Sequence, residues 1–123
     1  MDNKYAALPF EKTNFIVYML PKYPHDGWII NVMSHDKGSF RDLGELLLTL
    51  DELCDNIGYP LAAQPKTALE LSSAAQRGMQ HFAVRVLFRQ NNSLQGYLMN
   101  GERRINFRSG LELLQHIREQ FCD

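Results

Sequence analysis

Apolar and polar residues alternate most cleanly in FAVRVLFR, residues 82–89. Phe82, Val84, Val86 and Phe88 fall on one side of an extended chain, and Ala83, Arg85, Leu87 and Arg89 on the other. This predicts a strand with one face on a core and a second face carrying both arginines. QNNS follows, and its Asn and Ser suit a turn through local side-chain hydrogen bonds. LQGYLMN (94–100) returns as a second strand, with Tyr97 and Met99 expected inward. GERR reads as another turn, and Ser109 is placed to cap a helix from about Gly110 to Gln120. Leu111, Leu114, Ile117 and Phe121 supply that helix with an apolar stripe, with Leu113 on its flank.

The first half of the chain reads similarly. FIVYML (15–20) is rich in aromatic and β-branched residues and predicts a strand. Pro21, Pro24, His25, Asp26 and Gly27 break it, WIINVM (28–33) forms a second strand, and SHDKGS reads as a polar connector. A helix is expected from about Phe40–Asp42 to Asn56, stopped by Gly58 and Pro60. Leu43, Leu46, Leu47, Leu50, Leu53 and Cys54 recur along it at three- and four-residue spacing. The strand FIVYML is apolar on both faces: Ile16, Tyr18 and Leu20 on one, Phe15, Val17 and Met19 on the other. Both faces therefore need cover, from the N-terminal arm and linker, a second subunit or another protein.

The two halves superpose at an offset of 67 residues without a gap. Phe15 falls on Phe82, Val17 on Val84, Leu20 on Leu87, Phe40 on Phe107 and Arg41 on Arg108. Glu45-Leu46-Leu47 then falls on Glu112-Leu113-Leu114, and Glu52 on Glu119. This predicts an α+β fold of tandem ββα repeats, a four-stranded antiparallel sheet with two helices on one face. The chain is expected to be a single domain over 1–123: repeat one 15–58, a linker 59–81 with a helical turn or two within 67–77, and repeat two 82–122. One unit of about 40 residues is too small to hold a stable core by itself.

The shared Phe-Arg pair sits ahead of each helix. Phe40 and Phe107 are placed to fold onto the first turns. A cation near a helix N-terminus opposes the macrodipole, so Arg41 and Arg108 are expected to pair with Glu45 and Glu112, four residues on.

Charge modifies this symmetry. The net charge of −1 conceals −4 over residues 1–61 (five Lys/Arg, nine Asp/Glu) and +3 over 62–123 (eight against five). Cys54 and Cys122 belong to no Cys-x-x-Cys pair, so no redox motif or structural zinc site is indicated. The N-terminal MDNKYAALPFEKTN has no basic region followed by an apolar run, and no stretch approaches the ~20 apolar residues that span a bilayer. A cytoplasmic location without membrane association is expected.

No catalytic or cofactor fingerprint is present, and neither an enzyme nor a cofactor is expected. His25-Asp26 and His35-Asp36 are adjacent pairs, a spacing that does not orient a base against its carboxylate. Cys54 sits among leucines and reads as an inert core thiol. The candidate binding residues lie in the second half: Arg85 and Arg89 on the outward sheet face, Gln90, Asn92 and Gln95 near the turn, and Arg103 and Arg104 at the next turn. A protein partner is the leading expectation. Nucleic acid gripped by these arginines is the alternative, and a homodimer would also cover the apolar strands.

The string RVLFRQNNSLQG (85–96), followed by FRSGLELL (107–114), resembles small uncharacterised bacterial proteins with an RVxFRQNxSxQG…FRSxxELL pattern, often encoded on mobile elements. This sequence departs from that pattern by having Leu94 where tryptophan is usual, while Trp28 in the first half sits one position later in register. The resemblance implies no activity or cofactor. It implies a mobile-element setting, in which an accessory or anti-defence role, such as nuclease inhibition, would fit.

Overall fold

The computed structural model describes residues 13–56, 77–90 and 93–122. Three strands come first: β1 (Asn14–Met19), β2 (Gly27–Asn31) and β3 (Lys37–Phe40), followed by helix α1 (Leu43–Asp55). Three more follow, β4 (Gln80–Gln90), β5 (Ser93–Asn100) and β6 (Arg103–Phe107), and helix α2 (Gly110–Phe121). All six strands form one antiparallel sheet in the order β3-β2-β1-β4-β5-β6.

This corrects the expected four-stranded sheet of tandem ββα units. The polar connector SHDKGS contains most of β3, and the supposed GERR turn runs into β6. KGSF lacks the branched, alternating composition that marks a strand, and RRINF shows it only over its last four residues, where Ile105 and Phe107 alternate with Arg104 and Asn106. Their conformation comes from the ladders to β2 and β5, on which they form the two outer edges. The expected helical turns within 67–77 lie outside the described residues except for Arg77.

The helices start as helices with a polar cap should. Asp42 Oδ1 accepts the backbone N–H of Glu45 (2.8 Å), and Ser109 Oγ accepts that of Glu112 (3.1 Å). Arg41 forms the expected pair with Glu45, Nη2 to Oε2 at 2.9 Å, while Glu45 Oε1 also accepts the Arg41 backbone N–H at 2.9 Å. The hydrogen bond from Arg41 holds the Glu45 carboxyl below its ordinary range, so the cation is neutralised at the helix end that disfavours it.

One core lies between the sheet and both helices. Phe15, Val17, Met19, Ile29, Phe82, Val84, Val86, Leu94 and Leu98 meet Leu46, Leu50 and Leu53 of α1 and Leu113, Ile117 and Phe121 of α2. Phe82 stacks on Phe121 with ring centroids 4.1 Å apart. The α2 stripe is rotated from its expected position: Leu113, Ile117 and Phe121 are buried, and Leu111 is 77% exposed. A second cluster, Tyr18, Trp28, Ile30 and Met79 with Ile16 and Leu20 against it, forms on the opposite face of the sheet. FIVYML is thus apolar on both sides because each side joins a different cluster. Cys54 is buried in the main core, which pushes its thiol pKa up to about 12, as an inert core thiol requires.

Candidate interaction surface

Cross-strand partners in an antiparallel sheet share a face, so the register maps the surface opposite the helices. One row crosses all six strands: Lys37, Ile30, Ile16, Ala83, Met99 and Arg104. Five interstrand steps make it about 24 Å wide. A second row holds Ser39, Trp28, Tyr18 and His81, and a third Asn14, Arg85, Tyr97 and Asn106. Phe88 and Gln95 form a fourth pair toward the β4–β5 turn.

The expected inward position of Tyr97 and Met99 is therefore corrected. Val84 pairs with Leu98 and Val86 with Gly96, which puts Leu94 and Leu98 in the core and Tyr97 and Met99 on the open face. Gly96 is required there. A Cβ on it would fall 1.9 Å from the backbone carbonyl oxygen of Arg85.

A register shift between Val86 and Phe88 rearranges the end of β4. The extra residue of a bulge inverts the alternation beyond it. Phe88, expected in the core, is 44% exposed and pairs with Gln95 on the open face. Arg89, expected outward beside Arg85, turns to the helix side. Its Nη1 reaches Asp51 Oδ1 at 3.2 Å and Asp55 Oδ1 at 2.5 Å, both on α1. Burial acts to lower the Arg89 pKa, and hydrogen bonds to Asp55 and Asp51 outweigh it, raising the value above the ordinary guanidinium range. Arg89 thus ties β4 to α1.

The other candidates separate by face. Arg85 and Gln95 lie on the open face with Arg104. Arg103 pairs with Asn100, whose amide donates to Gln120 Oε1 of α2 (3.0 Å), so Arg103 belongs to the helix side of the β6 edge. Gln90 is a strand residue of β4, and Asn92 lies outside the described residues. Sequence reasoning missed Phe88, Met99 and Asn106 as surface residues. The Gly96 and Leu94 positions were the available signals for the β5 register.

The two halves of the open face differ in access. Tyr18 and Trp28 stack at 5.2 Å and are buried, with Lys37 Nζ 4.8 Å and Arg77 Cζ 5.7 Å from the Trp28 ring centroid. Over β4–β6, Arg85, Gln95, Tyr97 and Met99 are half-buried, while Phe88, Arg104 and Asn106 are exposed. Arg104 Cζ lies 3.9 Å from the Tyr97 centroid, and its Nε donates to Asn106 Oδ1 at 3.3 Å.

Charge segregates by layer. The open-face strand positions above carry Lys37, Arg85 and Arg104 and no carboxylate. Helix α1 carries Glu45, Asp51, Glu52 and Asp55 and no Lys or Arg. Among these described positions the sheet rows are basic and α1 is acidic, a distribution that favours acidic partners on the sheet.

A cleft of about 340 Å³ lies at the other end of the fold, lined by Tyr23, His25, Asp42, Leu43, Gly44 and Arg118. His25 Nδ1 sits 3.2 Å from the Leu20 carbonyl oxygen and 3.9 Å from Cys122 Sγ. A carbonyl only accepts, so Nδ1 carries the hydrogen and is not placed to take the thiol proton. No group of three or more His, Cys, Asp or Glu side chains suited to a metal ion occurs among the described residues. No described helix is long and apolar enough to cross a membrane. Compared with known protein families, curated proteins and solved structures, the chain matches none.

Proposed function

We propose that this protein is a non-enzymatic binding module that takes a protein partner on the β4–β6 half of its open sheet face. The observation that carries this reading is the composition of that surface: Phe88, Tyr97, Met99, Arg85 and Arg104 with no carboxylate among them. Aromatic residues, Met and Arg are the types enriched at protein–protein interfaces, and Asp and Glu are depleted there. The complementary partner surface is apolar at its centre and acidic at its rim. An accessory or inhibitory role in a mobile-element setting, implied by the sequence resemblance, is one form such binding would take.

The nucleic-acid reading is weaker on the same geometry. Single-strand binders offer aromatic ring faces on which bases stack. Here one face of Tyr97 is occupied by Arg104, and Trp28 is buried against Tyr18. Arg89, one of the four arginines that reading requires, is committed to Asp51 and Asp55.

The test is affinity capture from host-cell extract before and after nuclease treatment, with wild type, Phe88→Glu and Arg104→Glu. The reading predicts a protein retained after nuclease treatment by wild type and lost from both variants. Retention of nucleic acid alone, or a protein bound equally by both variants, defeats it.

A further inference from the structure

The two edges of the sheet are not equivalent. On β3, the side chain of Thr49 crosses from α1 and its hydroxyl donates to the Ser39 carbonyl oxygen at 3.2 Å. Helix α1 also presses close to this edge: a Cβ on Gly38 would lie 2.4 Å from Thr49 Cγ2. Lys37 leans over Trp28. An incoming strand on β3 would have to displace these contacts.

On β6, the residue at the corresponding place in α2 is His116, 67 positions after Thr49. His116 lies 3.9 Å from Glu112 and 3.9 Å from Glu119, and its buried Nε2 makes no hydrogen bond. It gives β6 no counterpart of the Thr49 cap. Arg103, Arg104 and Asn106 are exposed, and among the described residues no strand lies beyond β6. An uncapped edge strand offers a row of backbone donors and acceptors to another chain.

The charge on this edge selects its occupant. Successive strand residues point to opposite faces, so Arg104 lies on the open side and Arg103 on the helix side. With Glu102 before the strand and Arg108 after it, the segment 102–108 carries a net +2. A second copy would bring a like-charged strand alongside, whereas an acidic strand would set a carboxylate against an arginine on each face.

We propose that β6 accepts an extended, acidic segment of a partner protein as a seventh strand, continuous with the open face. This rests on the protein-partner reading and adds the mode of recognition: backbone pairing supplies affinity, and Arg103 and Arg104 select carboxylates at neighbouring positions, one on each face.

The test uses the full chain and a fluorescein-labelled eight-residue peptide of repeating Glu-Glu-Val-Val, which carries carboxylates on both faces of a strand. Anisotropy measures its binding, and amide hydrogen exchange is read in parallel. The same peptide N-methylated at every residue keeps the charge and loses the backbone donors of both edges. The expected result is slowed exchange of β6 amides on binding, at least tenfold weaker binding of the N-methylated peptide, and at least tenfold weaker binding to Arg103→Glu/Arg104→Glu of unchanged fold. Equal binding of the two peptides overturns the proposal, as does binding without β6 protection. So does a concentration-dependent dimer that protects β6 without peptide, because a second copy then occupies the edge. Binding of a single-stranded oligonucleotide along β6 in preference to the peptide also overturns it. The peptide assay needs no native partner, so its failure leaves the open-face capture result standing, and failure of that capture leaves the edge result standing.

Discussion

Replacing Arg89 with alanine separates the bulged strand from a regular one. On a regular β4, Arg89 would stand beside Arg85 in solvent, and truncation would change stability by no more than about 0.5 kcal/mol. On the bulged strand its side chain is 20% exposed and donates to two carboxylates of α1. A hydrogen bond to a charged group contributes about 1.5–3 kcal/mol. The pair with Asp55, whose side chain is 60% exposed, is discounted to less than about 1 kcal/mol by solvent. Removing Arg89 also leaves Asp51 and Asp55 as like charges one turn apart, which costs a further ~0.2–0.5 kcal/mol. The expected loss for Arg89→Ala is about 2 kcal/mol, or roughly 8 °C in melting temperature for a domain of this size. Urea unfolding of Arg89→Ala, Asp51→Asn and the double variant measures both the loss and the coupling between the two residues. Arg85→Ala serves as the open-face comparison. A loss below about 0.5 kcal/mol with no coupling to Asp51 would refute the inverted alternation.

Three further outcomes follow from the same structure. The Cys54 thiol, with its pKa pushed from 9.0 to about 12 by burial, contributes stability that is complete below pH 9. That contribution declines above pH 9 by up to about 1.4 kcal/mol per pH unit as the unfolded thiol ionises; unfolding titrations should show the decline in wild type and its absence in Cys54→Ala. Gly96→Ala puts a Cβ against the Arg85 carbonyl and should cost about 3 kcal/mol in urea unfolding, with lost exchange protection along the β4–β5 ladder. Arg41→Ala should return the depressed Glu45 pKa toward its ordinary value, read by carbonyl NMR titration.

The parts of the fold most legible in the sequence were those under local control. Asp42 and Ser109 sit at their helix starts because a short polar side chain there satisfies a free backbone N–H. The Arg41–Glu45 pair follows from helical spacing, and the leucines of α1 from its single buried face. β3 and β6 were illegible because an edge strand takes its conformation from its neighbour's ladder, and KGSF and RRINF are short, with only Phe40, Ile105 and Phe107 turned to the core. The candidate site was legible only in part. Arg85 was placed on the right face, but Arg89 and Phe88 were exchanged by a single bulged residue that no residue type announces. One inserted position inverts every side chain beyond it, so an error of one residue changed which arginine faces a partner.

If the open face over β4–β6 carries the partner, probes placed on that face must touch it. Photo-crosslinking with benzoylphenylalanine tests it most directly, placed in turn at Phe88 and Tyr97 on that face and at Leu48 and Leu111, which are 70% and 77% exposed on the helices. One protein adduct is expected from Phe88 and Tyr97 and none from Leu48 or Leu111. Adducts confined to the helix positions, or nucleic acid as the only species captured from Phe88 and Tyr97, would contradict it.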